Sequence, residues 1–79
     1  MAGEGLGPES VRARVAAWDE DEVAVLRLVG DGLPASVVAE ERLITLAEVA
    51  ALLSSARAKA GVTSTRAAVD LGRGAGLLT

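Results

Sequence analysis

A chain of 79 residues with 11 acids against 8 lysines and arginines carries a net charge of −3 and has room for one modest core. With neither cysteine nor histidine, it lacks the means for disulfides, zinc fingers, the usual transition-metal centres, thiol nucleophiles and serine–histidine–aspartate chemistry. Trp18 is the only aromatic in a sequence that is 51% apolar, so the core must come from Leu, Val, Ile and Ala, which favours closely packed helices over a β-sandwich.

The isoelectric point near 4.8 stands far from the basic footprint, often above about 9, of a dedicated nucleic-acid binder. Charge is also unevenly spread. Residues 1–50 hold ten acids against four arginines, whereas residues 51–79 set Arg57, Lys59, Arg66 and Arg73 against Asp70 alone. A polyanion would therefore have to approach the later part of the chain. The opening "MAGEGLGPES" has no basic n-region or apolar h-region, and no apolar run approaches bilayer length, so a cytoplasmic protein without membrane contact is expected.

Residues 1–10, rich in glycine and polar groups, read as a flexible N-terminal arm, and residues 11–79 as one domain. "SVRARVAAW" alternates like a short strand yet offers Ser10 and good helix formers; helix is the favoured reading. In "WDEDEVAVLRLVGDG", Asp19 and Glu22 have the spacing of a capping box, and the acids stand where a helix macrodipole favours them. Trp18 is positioned to staple onto Val23, while Val25, Leu26 and Val29 form an apolar stripe and Gly32 supplies a stop. "LPASVVAEER" predicts a short second helix, with Pro34 suited to its first turn and Val37, Val38 and Ala39 turned inward. Thr45 and Glu48 repeat the capping-box spacing ahead of a third helix, whose inner face is Val49, Leu53, Ala56 and Ala60 and whose stop is Gly61. A fourth helix starts at Ser64 or Thr65, and Gly72, Gly74 and Gly76 predict that it ends early or frays, at about 1 kcal/mol per interior glycine.

Catalytic chemistry finds little purchase here. "GRGAG" resembles a phosphate loop only in composition, since no strand or helix follows to present its amides. No spaced pair of carboxylates suggests glycosidase-like chemistry, and the four adjacent acids lack the spacing of a calcium loop. The expectation is a non-enzyme with no cofactor, no metal and no small-molecule site.

The order of helices, with a tight connection between the second and third, fits a helix-turn-helix architecture. "VLRLVGDGLPASVVAEERLIT", followed by "V", "LSS", "K" and "GV", resembles the DNA-binding domain of LuxR-type (GerE-like) bacterial regulators, ungapped from about Trp18 to Leu78. Residues at family-typical positions include Glu22, Val25, Leu26, Leu28, Gly32, Ala39, Glu40, Ile44, Val49, Leu53, Ser54, Lys59, Gly61, Val62, Ala68 and Val69. The resemblance implies a small four-helix, all-α domain. Its third helix would lie in the major groove, its second would brace the third, and its fourth would support dimerisation.

At the positions that the resemblance assigns to DNA contact, the sequence departs from the family. Ala47, Glu48, Ala50, Ala51 and Leu52 stand where basic or hydroxyl residues are usual, and Ala35 and Ser36 where the second helix often offers polar contacts. Arg42 occupies a customary core-leucine position, with Leu43 expected to fill in, and Pro34 replaces a polar cap. Phosphate neutralisation supplies most non-specific affinity, and alanine can touch only a thymine methyl. The remaining DNA-contact candidates are Arg57, Lys59, Arg66, Ser54 and Ser55, which would position the domain without specifying sequence; the three cations also suit a solvated basic end near a helix C-terminus. Ala47, Ala50, Ala51, Leu52 and Ala58 form a smooth surface that admits another helix at low entropy cost, or that merely consists of good helix formers. Asp19, Glu22, Thr45 and Glu48 are assigned to capping.

Two functions follow from this reading. One is a LuxR-like helix-turn-helix protein acting in transcription regulation, its direct DNA binding weak or partner-dependent. The other is an interaction module that reuses the fold without binding DNA, its occupant a protein partner or a second copy.

Overall fold

Residues 13–78 are described in the computed structural model; the expected arm at residues 1–10 lies outside them. Residues 13–15 are helical, and four longer helices follow: α1 (Glu20–Gly30), α2 (Ala35–Arg42), α3 (Leu46–Ala60) and α4 (Thr65–Gly74). No strand occurs among the described residues. Over the described residues the chain is a small all-α domain, as its composition implies.

Three of the four helix starts carry a side-chain cap. At α1 the Asp19 carboxylate accepts from the Glu22 amide at 2.8 Å while the Glu22 carboxylate accepts from the Asp19 amide at 2.9 Å. Thr45 and Glu48 make the same reciprocal pair at α3, at 3.0 and 2.9 Å. Each box satisfies two otherwise orphaned donors, and losing such a cap costs about 0.5–2 kcal/mol. Ser64 is the cap of α4, accepting from the Ala67 amide at 3.0 Å. Ahead of α2, Pro34 stands at the cap position with no side-chain bond. Gly32 at φ 96° and Gly61 at φ 73° end their helices in the left-handed region, which a residue without Cβ enters at no steric cost.

The third helix is the spine. It packs against α1, α2 and α4, while α2 and α4 lie to either side and do not meet. Two apolar clusters result. Val15, Trp18, Leu26, Ala56, Ala60, Ala68, Val69 and Leu78 form one, and Val25, Val38, Ala39 and Val49 the other, with Leu53 packed against both. In the first cluster the indole lies against α3 where Ala56 and Ala60 leave room, and its Nε1–H donates to the Ala56 carbonyl at 2.9 Å. A tryptophan buries about 150–250 Å², which at about 25 cal/mol/Å² amounts to roughly 4–6 kcal/mol of gross apolar transfer. No other side chain brings as much to this core.

Two expectations are corrected by the geometry. The first concerns the glycines of α4. The helix does not stop at Gly72 but continues to Gly74. Gly72 is buried, and a Cβ there would lie 2.7 Å from Leu78 Cδ1 and 2.9 Å from Trp18 Cζ3. The missing side chain lets the C-terminal Leu78 fold back onto the indole, so the helix gives up propensity in exchange for packing. The second concerns Leu43. It does not fill the core place left by Arg42: it is 91% exposed, with φ 59° and ψ 43°. Ile44 turns inward instead and joins the cluster around Val25, its amide donating to the Ala39 carbonyl at 2.9 Å. Only one of two adjacent residues in a tight turn can point inward, and here it is the second.

Candidate functional site

The connection between α2 and α3 is three residues long, Leu43 to Thr45. It is closed at one side by the left-handed Leu43 and at the other by the Thr45 cap. Leu43 is the only non-glycine residue with positive φ among the described residues, and a left-handed leucine costs about 1–2 kcal/mol that glycine would not incur. The tight turn fixes α3 across α2, and it fixes which face of α3 is free.

On that free face stand Ala47, Ala50, Ala51, Ser54 and Ala58, all exposed. At 100° per residue they fall within an arc of about 100°. Leu46, 56% exposed, continues the surface toward the turn and Leu43. Leu52, expected on the same face, turns to the side and packs against the cluster around Val25 and Val38. The free face of α3 is thus uncharged from Leu46 through Ser54, apart from Glu48 at its edge.

The residues expected to meet DNA do not share one surface. Ser54 is exposed on the face just described, whereas Ser55 is half-buried. The Lys59 ammonium lies 2.8 Å from Glu22 Oε1. Arg57 donates through Nη1 to Thr65 Oγ1 at 3.0 Å, tying α3 to the first turn of α4. Arg66 is exposed and lines a cleft of about 410 Å³ with Thr65, Asp70, Arg73, Val29 and Gly30, between α4 and the end of α1. Among the described residues it has neither an ion pair nor a hydrogen bond.

Glu22 does more than cap. It is 1% exposed and is the one charged residue in the interior of the described chain. Burial pushes its carboxyl upward. The bond from Lys59, the Ser55 hydroxyl, the Asp19 amide and the Lys59 charge together outweigh that push, so its pKa is lowered from an ordinary value of 4.5. The Lys59 ammonium is raised above 10.5, chiefly by its bond to Glu22. Sequence spacing revealed Glu22 only as a cap, because its partner is 37 residues away.

Other cations are engaged in the same manner. Arg73 donates to the Gly30 carbonyl at 2.7 Å, at the C-terminus of α1 where a positive charge is favoured. Arg42 reaches back to Asp21 at 3.3 Å on the surface. Beside that pair lies a second cleft, of about 260 Å³, lined by Asp21, Arg42, Ile44, Glu48, Ala51 and Leu52. Ile44 and Leu52 give it an apolar part, and its charged lining sets Glu48, free of any cation among the described residues, beside the paired Asp21 and Arg42. Sequence reasoning missed both this cleft and the exposed Leu43. The signal was in "RLIT", where two adjacent large apolar residues precede a cap and cannot both be buried.

Fold and face together define a small all-α domain in which a three-residue turn joins the second helix to a third whose free face is built of small, uncharged side chains. Comparison with protein-family models, with curated proteins and with solved structures gives no match. Among the described residues no helix is long and apolar enough to cross a membrane.

Proposed function

We propose that this chain is a protein-interaction module built on a LuxR-like helix-turn-helix frame, with at most weak, salt-sensitive affinity for DNA of its own. The observation that carries this reading is the use of its cations. Of Arg57, Lys59 and Arg66, two are bonded within the fold to Thr65 and Glu22, and the third lies on the α1–α4 side, away from the α3 face. A groove-reading helix needs free cations to displace counterions and polar groups to read base edges. The exposed arc of Ala47, Ala50, Ala51, Ser54 and Ala58 offers one hydroxyl. For close approach of another helix, small side chains serve well.

A second reading keeps the domain in transcription regulation, contacting DNA only when a partner supplies the missing charge. The exposed Arg66 and Ser54 favour it, because backbone contacts need only such groups.

Fluorescence anisotropy with mixed-sequence duplex DNA tests the proposal. Binding is expected to be absent at about 0.15 M salt and weak at about 0.02 M. Placing lysine at Ala47 and Ala50 together should raise affinity at low salt by about tenfold or more, since each added phosphate contact steepens the electrostatic term. Unmodified chain that holds duplex firmly at the higher salt would overturn the proposal.

A further inference from the structure

We infer that the turn between α2 and α3 is a docking site for a basic amphipathic helix of a partner protein. The inference rests on the interaction reading above and names the chemistry of the partner. Its starting point is Leu43, 91% exposed and left-handed. Folding gains nothing from this side chain, and glycine would serve the turn better. Leu46, 56% exposed, follows one residue after the Thr45 cap, and Ala47 and Ala50 extend the apolar surface along α3.

Charge around this surface selects the occupant. Glu40 and Glu41 are exposed in the last turn of α2, within three residues of Leu43. Glu48 borders the surface on α3, and Asp21 faces it across the 260 Å³ cleft. The Arg42 guanidinium engages Asp21, while Glu48 has no cationic partner among the described residues. An apolar surface with an acidic border complements a helix whose leucines are flanked by lysine or arginine. The cleft suits such a side chain in detail. Its methylene stem would lie on Ile44 and Leu52, and its charged head against Glu48, the lining carboxylate that no cation engages among the described residues.

The test uses the full chain, isotopically labelled, and a synthetic probe. The probe is a peptide of about 18 residues, some five helical turns, with leucines at helical spacing and lysines beside them. A counterpart with glutamate for lysine is the control. The lysine peptide should shift amide signals at Leu43, Leu46, Ala47 and Ala50 through Leu52, with affinity falling about fivefold between ~0.05 and ~0.3 M salt. Leu43→Gly with Leu46→Ser should weaken binding about tenfold, and Leu43→Gly alone should weaken it while raising the melting temperature. Loss of docking then cannot be loss of fold. Glu48→Gln, which keeps the capping box but removes the charge, should weaken binding about threefold.

Equal binding of the glutamate peptide, shifts elsewhere on the domain, or full binding by the double variant would overturn the inference. So would concentration-dependent self-association of the unmodified chain that Leu43→Gly abolishes, because the occupant would then be a second copy. Failure of the peptide with DNA still unbound refutes this inference alone, whereas salt-resistant DNA binding refutes the reading beneath it.

Discussion

The two sides of α3 are built by different rules. Toward α4, the core holds the sole aromatic side chain, a buried indole hydrogen bond, a glycine required for packing and an acid neutralised in the interior. Toward α2, the core is smaller, the helix start lacks a side-chain cap, and two leucines stand in solvent. One side spends its side chains on cohesion. The other leaves them free at a cost in backbone strain, a pattern that goes with binding rather than folding. Lys59, Arg57 and Arg73 are engaged on the cohesive side, and Arg42 pairs with Asp21 on the other.

The sharpest way to break this contrast is at the indole. Trp18→Ala should cost about 3–5 kcal/mol, close to the whole stability of a domain this size, and thermal melts followed by circular dichroism should find little folded protein. Gly72→Ala comes next. Helix propensity alone would reward it by about 1 kcal/mol, yet the new methyl collides with Leu78 and Trp18, so a net loss of about 1–3 kcal/mol is expected by urea denaturation. A stabilised variant would mean that the C-terminal turn is not packed on the indole.

Glu22→Gln follows, keeping the cap but removing the charge that Lys59 neutralises. Because the folded pKa of Glu22 is lowered below 4.5, its stabilising contribution is present above that value and lost as pH falls through the folded pKa. Wild-type stability should therefore decline in acid with a component that Glu22→Gln lacks. The raised pKa of Lys59 acts at the opposite end: its contribution is present below 10.5 and lost as pH rises through the higher folded value. Denaturation midpoints from pH 3 to pH 11 would reveal both limbs, a range chosen to span the ordinary carboxylate and ammonium values. The smallest effect belongs to the other side of α3. Leu43→Gly should raise stability by about 0.5–1 kcal/mol, a few degrees in melting temperature.

Much of the frame was legible because it is local. Asp19–Glu22, Thr45–Glu48, Ser64 and Gly61 act over three or four residues, and such spacings mark helix ends directly. The inward faces of Val49, Ala56 and Ala60 follow from helical period. What could not be read was tertiary. Gly72 looked like a breaker because nothing nearby in sequence announces that Leu78 and Trp18 need its space. Lys59 looked available because Glu22 is remote along the chain. Ser55 and Leu52 are on α3 as expected, but a residue at the edge of a helical arc turns inward or outward according to what packs beside it, and period alone does not decide that.

The burial of Trp18 also makes the domain its own optical instrument. With no tyrosine or phenylalanine in 79 residues, every photon absorbed near 280 nm and every near-ultraviolet dichroic band belongs to one indole, 7% exposed and hydrogen-bonded to Ala56. Its emission reports on the α1–α3–α4 junction and is blind to the turn at Leu43. A partner that docks at the turn without disturbing the core will leave the emission maximum where it was, and one that pries the helices apart will redden it.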